Sequence, residues 1–430
     1  MKVLLDFVDR HRRGAAVGIY SVCSAHPDVL RAAMTHALAG AQPLLIESTS
    51  NQVNQFGGYT GMRPADFRDF VHRLSDEVGL PRERLILGGD HLGPNCWQAE
   101  TPQEAMARSE VLIAQYVEAG FRKIHLDCSM PCATDPAVLS DEVVAERAAR
   151  LARVAEAAWA RAGGEAPVYI VGTEVPVPGG AHEELDSLAV TRPAAAQRTL
   201  AVHQEAFAAV GAGAAWARVI GLVVQPGVEF DHDKVIDYRP DLARELSATI
   251  AGHPGLVYEA HSTDYQTSDA LSALVRDHFA ILKVGPGLTF ALREALWSLV
   301  DIEQEWLGPD ASPDLRQTVL SVMQEQPGHW QKYYQDSDRV RLDLQYSLSD
   351  RIRYYWSHPR VAEAARRLLD RLDRASPSGL PMTLISQCMP WQYEQIRAGR
   401  LKNSATALLD SSVHRVLQQY ALACNPMNLN

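Results

Sequence analysis

Between residues 16 and 285 the chain repeats one pattern: a short β-branched or apolar run, a polar Gly/Pro-rich stretch, then an Ala/Leu/Arg-rich segment with apolar positions at helical spacing. Alternating or fully apolar short runs read as strands and helical periodicity reads as amphipathic helix, so the pattern predicts successive βα units. The predicted strands are Ala16 to Val22, Leu44 to Ser48, Leu85 to Gly89, Lys123 to Asp127, Val168 to Thr173, Val219 to Val224, Leu256 to Glu259 and Ala280 to Val284. Helices are predicted between them, over Asp28 to Leu38, Pro64 to Val78, Pro102 to Ala119, Ser140 to Ala162, Pro193 to Gly211 and Thr267 to Asp277. Eight strands alternating with helices over roughly 300 residues fit a closed (β/α)8 barrel, an α/β TIM barrel, better than a doubly wound open sheet, which usually has fewer strands. Beyond Pro309 the pattern predicts helices without strands, over Trp330 to Tyr334, Val340 to Trp356, Val361 to Leu372 and Ala405 to Ala423. The expected organisation is a barrel over residues 1–308 and a helical C-terminal region over 309–430 packed on it.

Composition narrows the function classes. The formal net charge is −11 and the longest basic cluster is the short run Arg10-His11-Arg12-Arg13, which argues against nucleic acid or an anionic membrane as partner. No apolar run reaches the roughly 18 residues of a spanning helix, and the N-terminus lacks the basic and apolar regions of a signal peptide. The expected location is the cytoplasm. Six cysteines without a CxxC pair predict free thiols rather than a disulfide framework or zinc knuckle.

In a barrel of this kind the loops after the strands converge on one mouth, so the residues closing each strand are the candidates for chemistry. They are Cys23-Ser24-Ala25-His26, Glu47, Asp90-His91, Asp127, Glu174, Gln225, Glu259 with His261, and Lys283. So many carboxylates around one pocket would repel one another without a cation. His91, Glu174 and His261, with Gln225 as a weaker oxygen donor, form an N/O ligand set for a divalent metal, zinc first, with manganese, cobalt, nickel or magnesium as alternatives. The bland reading of any one of these histidines is a strand cap bonded to backbone. In Gly88-Gly89-Asp90-His91-Leu92-Gly93-Pro94, the glycines would allow a tight turn and close substrate approach, Asp90 would move protons and His91 would hold metal. Glu47 and Lys283 are expected to meet substrate in the same pocket. Ser262, Thr263 and the amides near Gly285 are phosphate candidates, because the loops after strands seven and eight commonly bind phosphate in this architecture; the alternative is an ordinary glycine-rich loop. Ser50-Asn51-Gln52-Val53-Asn54-Gln55 suits a loop that reads sugar hydroxyls, with Asn54 and Gln55 as substrate contacts, or else a solvated turn. The aromatic segments Trp330 to Tyr334 and Tyr346 to Trp356 read first as packing, with Arg351 or Arg353 able to reach a distal phosphate.

Long motifs carry a family resemblance over nearly the whole chain: Ser21 to His26, Glu47 to Gly61, Leu87 to Trp97, Lys123-Ile124-His125-Leu126-Asp127, Gly172 to Gly180, Val224 to His232, Tyr258 to Gln266 and Tyr346 to Trp356. The chain resembles the tagatose-bisphosphate aldolase Z-subunit family (GatZ/KbaZ), which includes ketose-phosphate 4-epimerases and is similar to the class II aldolases. The resemblance implies a metal-bearing barrel in which Asp90 transfers a proton, His91 and His261 bind metal and Glu174 lies beside it. Gln225 stands where the aldolases have a further metal histidine. The implied reaction is reversible cleavage of the C3–C4 bond of a ketose phosphate, giving 4-epimerisation of D-tagatose 6-phosphate and D-fructose 6-phosphate, with Asp127 or Glu259 as rivals of Asp90 for the proton. The alternative is a non-catalytic subunit stabilising a class II D-tagatose-1,6-bisphosphate aldolase subunit in galactitol and tagatose catabolism. Use of the free ketose is a third reading, and a homo-oligomer is expected.

Overall fold

The computed structural model describes residues 2–40, 42–174, 188–308, 314–334, 338–375 and 378–425. Eight parallel strands close into a barrel: β1 (Ile19–Val22), β2 (Leu44–Thr49), β3 (Leu85–Leu92), β4 (Lys123–Leu126), β5 (Val168–Val171), β6 (Val219–Val223), β7 (Val257–Ala260) and β8 (Ile281–Val284). Each pairs with its sequence neighbours, and β8 closes the ring on β1 with Ser21 opposite Lys283. The helices are α1 (Lys2–Arg12), α2 (Pro27–Ala39), α3 (Pro64–Val78), α4 (Pro102–Glu118), α5 (Asp141–Ala162), α6 (Pro193–Ala209), α7 (Pro240–Thr249), α8 (Ser268–Arg276) and α9 (Pro286–Leu307). Most of them open on proline, whose fixed φ suits the first helical turn. Thr101 and Glu104 form a reciprocal capping box on α4, and the Ser140 and Thr267 side chains cap α5 and α8.

The two ends of the barrel interior differ. At the N-terminal end Leu4, Phe7 and Val8 of α1 plug an apolar floor of Ile19, Leu45, Ile86, Val168, Ile170, Ile220, Val257 and Ile281. At the C-terminal end the inward positions are charged. Register explains how they meet: Glu47 pairs with Gly88, and Gly88 with Lys123. A Cβ on Gly88 would lie 2.8 Å from the Glu47 side chain, so the glycine leaves the gap across which strands two and four join their charges. This corrects the expected role of these glycines. Gly89 likewise makes room, here for Leu92 and Tyr116, rather than for substrate.

β3 runs three residues beyond its predicted end, carrying Asp90 and His91 inside the strand, with a register irregularity against β4 between Gly89 and Leu92. The predicted helix over Val340 to Trp356 is instead a short α11 (Val340–Tyr346) and a 3-10 turn over Arg351–Tyr354, separated by Asp350 in the left-handed region (φ 45°). Trp330 to Tyr334 is turn, not helix. Helix α1 and the short Glu229–Phe230/Val235–Ile236 hairpin were not foreseen.

Residues 309–313, where the boundary of the C-terminal region was expected, lie outside the described residues. Beyond them α10 (Leu315–Glu325), α12 (Pro359–Ala375) and α13 (Met382–Cys388) pack around α9, and α14 (Pro390–Arg397) packs against α13. The last helix, α15 (Ala405–Cys424), packs against α2, α8, α9 and β1, and the carbonyl of Cys424 accepts a hydrogen bond from Gly18 N–H at 2.7 Å. The C-terminal helix thus covers the barrel wall at β1. All six cysteines are free thiols, and no helix among the described residues is long and apolar enough to cross a membrane.

Candidate active site at the barrel mouth

The buried polar layer is built from strands two, three, four, seven and eight. Lys123 Nζ lies 2.6 Å from both Glu47 Oε1 and Glu259 Oε2, all fully buried. Lys283 Nζ bonds Glu47 and lies 3.0 Å from Asp90 Oδ1 and 3.7 Å from Glu259 Oε1. Three imidazoles stand above this lattice, with ring centroids 4.9 Å (His91 to His261), 5.2 Å (His125 to His261) and 5.3 Å (His91 to His125) apart. Each is anchored by a carboxylate: His91 Nδ1 to Asp127 at 2.8 Å, His125 Nδ1 to Asp90 at 2.8 Å, and His261 Nε2 to Glu259 at 3.0 Å. Carboxylates in that position fix ring orientation and tautomer, as outer-shell partners of metal-binding histidines do.

Electrostatics set the protonation of the layer. Burial opposes ionisation of Asp90, but Lys283, His91 and the hydrogen bond from His125 outweigh it and hold the carboxyl well below its ordinary range. Glu259 is depressed in the same way, burial being overcome by Lys123 and Lys283, and the carboxylates around Lys283 push its ammonium well up against burial. Burial lowers His261 to about 4, leaving a neutral imidazole at neutral pH, the form that binds metal. His91 moves the other way, because Asp90 and Asp127 outweigh burial.

The chemistry of the donors fits a cation. Ligand atoms of Asp90, His125, Glu259 and His261 all lie within 4.8 Å of one another, and His125 Nε2 is buried without a hydrogen-bond partner. Four carboxylates (Glu47, Asp90, Asp127, Glu259) share the layer with two lysines, a formal excess of two negative charges. A divalent ion would neutralise that excess and satisfy the orphaned nitrogen. His91 (φ 47°) and Ser262 (φ 53°) both adopt the left-handed region, a conformation that non-glycine residues hold only where the surroundings impose it, often at functional sites.

Above the layer opens a cavity lined by Cys23, Gln52, Tyr59, Asp90, His91, His261, Asp264, Lys283, Arg353 and Tyr354, among others. Of the three candidate proton carriers only Asp90 lines it. Asp127 is held by His91 and by the Ser129 hydroxyl at 2.7 Å, and Glu259 lies below among the lysines. Glu47, expected to touch substrate, is fully buried in the same lattice. Lys283 and Ser262 do line the cavity.

The other expected residues have different partners. Glu174 is exposed and accepts the Thr191 hydroxyl, and Gln225 Oε1 accepts Gly227 N–H at 2.8 Å and Val228 N–H at 2.9 Å, shaping its own turn. Glu174 and His91 are not among the residues whose donors converge, and Gln225 spends its Oε1 on its own turn; the donors that do converge are those of Asp90, His125, Glu259 and His261. The last six residues of the motif Gly172 to Gly180 lie outside the described residues. Asn54 spends both amide atoms on Ser50, Phe56 and Gly58 backbone, and Gln55 donates to the Arg108 carbonyl, so both order their loop. Thr263 donates to the Lys283 carbonyl. Arg353 lines the cavity and bonds the carbonyls of Ser349 and Asp350 and the Tyr354 hydroxyl, while Arg351 faces a neighbouring opening.

His125 and Lys123 were missed as site residues, although the signal was available: in Lys123-Ile124-His125-Leu126-Asp127 polar residues alternate with apolar ones, which puts Lys123, His125 and Asp127 on one strand face. Asp264, Tyr59 and Tyr354 reach the cavity from loops and carried no comparable signal.

A crystal structure of a "probable tagatose 6 phosphate kinase" from Sinorhizobium meliloti 1021 is 50% identical, covering 95% of this chain and 100% of that one, with a TM-score of 0.87. The YdjI aldolase of Escherichia coli K12 is 12% identical over 84% of this chain and 94% of that one (TM-score 0.43). Fructose-bisphosphate aldolase of Campylobacter jejuni is 14% identical over 82% and 92% (TM-score 0.44). Residues 4–425 match the family described as D-tagatose-1,6-bisphosphate aldolase subunit GatZ/KbaZ-like, and the chain belongs to that family.

Proposed function

We propose that this chain is a metal-dependent ketose-phosphate 4-epimerase that interconverts D-tagatose 6-phosphate and D-fructose 6-phosphate by breaking and re-forming the C3–C4 bond. The observation that carries the reading is the placement of Asp90 at the floor of the mouth cavity, 3.0 Å from the Lys283 ammonium and among the converging donors of His125, Glu259 and His261. The family and the 50% identical relative, both named for tagatose phosphates, support the substrate class.

His125, His261 and Glu259 would hold the divalent ion, zinc first, with His91 Nε2 as a further donor. Bound there, the ion would supply Lewis acidity to the oxygens of the three-carbon fragment. The Asp90 carboxylate takes the proton of the C4 hydroxyl while the C3–C4 electron pair passes to the three-carbon fragment, leaving an aldehyde at C4. The Lys283 ammonium, 3.0 Å from Asp90, offsets the negative charge that develops. When the aldehyde presents its other face and the bond re-forms, Asp90 returns the proton to the new C4 oxygen and the epimer results.

The purified chain, loaded with zinc and given tagatose 6-phosphate alone, is expected to produce fructose 6-phosphate. No product until a class II aldolase subunit is added would instead favour an accessory role, to which the family description points.

A further inference from the structure

The expected phosphate cup is already filled by the chain itself. Asp264 Oδ1 accepts hydrogen bonds from Gly285 N–H at 2.9 Å and Gly287 N–H at 2.7 Å, the amides at the start of α9. Ser262 lies beside the buried carboxyl of Glu229, and the Thr263 hydroxyl donates to the Lys283 carbonyl. A phosphate dianion placed there would displace one carboxyl group and lie beside a second. What those carboxyls accept readily is a hydroxyl.

A second opening shares Asn51, Tyr59 and Tyr354 with the mouth cavity and is lined further by His329, Lys332 and Arg351. None of the described residues lining it is Asp or Glu, in a chain of net charge −11. Arg351 is 4% exposed. Its Nε donates to the His329 carbonyl at 2.7 Å, its guanidinium carbon lies 3.6 Å from the Tyr333 ring centroid and 4.5 Å from that of Tyr354, and Nη1 is buried with no hydrogen-bond partner. The His329 ring stacks on Tyr354 at 4.7 Å and 8°, completing a rigid cationic and aromatic wall. A guanidinium fixed in this way has lost its conformational freedom before a ligand arrives and offers the planar fork that suits phosphoryl oxygens.

We propose that the Arg351 opening is the phosphoryl subsite, and that the Asp264-filled cup receives an unphosphorylated end, so that the site takes a ketose carrying one phosphoryl group rather than a bisphosphate. This rests on the sugar-phosphate reading above and sharpens it. The two ends of the substrate are told apart by charge: amides closed by an internal carboxylate at one end, an arginine awaiting an anion at the other.

Calorimetric titration of the metal-loaded full chain with inorganic phosphate, tagatose 6-phosphate and tagatose 1,6-bisphosphate tests this without relying on turnover. Loss of one charge-assisted contact should weaken phosphate and 6-phosphate binding about tenfold or more in Arg351→Lys and in Lys332→Gln. The second variant lies on an exposed side chain and serves if the first does not fold. Ser262→Ala should bind inorganic phosphate within about twofold of the parent, and the bisphosphate should bind no tighter than the 6-phosphate. Unchanged phosphate binding in both cationic variants, its loss in Ser262→Ala, a bisphosphate preference, or no phosphate binding by the parent would each overturn the proposal. A parent that binds phosphate through Arg351 yet never interconverts the two ketose phosphates would refute the reaction and leave the subsite standing.

Discussion

His125 is the residue on which the metal reading turns. Its Nδ1 is fixed by Asp90 while Nε2 is buried with no partner, a state that costs free energy unless something binds there. His125→Ala should therefore reduce bound zinc to well under one equivalent, measured by elemental analysis after dialysis, while His414→Ala, on α15 against the Ala32 carbonyl of α2, retains it. Lys123 has a different part. It is fully buried between Glu47 and Glu259, so Lys123→Met leaves two buried carboxylates to share the one remaining ammonium, that of Lys283. Breaking one side of a buried ion pair costs about 3–5 kcal/mol, and denaturant unfolding should show a loss of that order. A loss under about 1 kcal/mol would mean that Lys283 alone can hold the layer together.

At the scale of elements, the C-terminal helix α15 matters more to the barrel than its place in the sequence suggests. It buries Leu408, Leu409, Val413, Leu417 and Tyr420 against α2, α8, α9 and β1. At about 1.5–3 kcal/mol for each buried side chain, that packing is worth on the order of 10 kcal/mol, comparable with the whole stability of an ordinary domain. A chain ending at Ser404 should fail to give a cooperative thermal transition. The same helix carries Asp410, whose carboxyl is raised to about 6 by burial and by Asp28, with Arg31 opposing. A carboxyl raised above its unfolded value near 3.9 contributes stability that is present in acid and lost as pH rises through 6. Asp410→Asn should thus raise the melting temperature relative to the parent at pH 8, with the gain shrinking toward pH 4. A gain independent of pH would point to a cause other than ionisation.

On the scale of the whole molecule, the barrel keeps an apolar floor closed by α1 at one end and an over-negative polar layer at the other. Removing the ion should expose the excess charge, so the metal-stripped protein is expected to melt at lower temperature. Zinc restored to about 100 times its dissociation constant should return about 2.7 kcal/mol, read from the shift in the thermal transition. No shift on chelation would separate the polar layer from metal binding.

Period and composition alone determined the eight strands, their alternation with helices and the collection of polar residues at one end of the barrel, because a strand two residues in period and a helix near four leave their marks locally. The Lys123, His125, Asp127 alternation was equally local, and only its reading was incomplete. Which of those polar groups meet could not be local. Glu174 and Gln225 close strands as His91 and His261 do, yet one is exposed and the other is consumed by its own turn, since ring closure, not position along a strand, decides which side chains converge. Nor could the chain in one dimension show that Asp264 would turn back onto the amides of Gly285 and Gly287, or that Arg351 would be clamped between Tyr333 and Tyr354. These contacts join segments whose separation along the sequence carries no periodic signal, and the packed fold alone sets their distances.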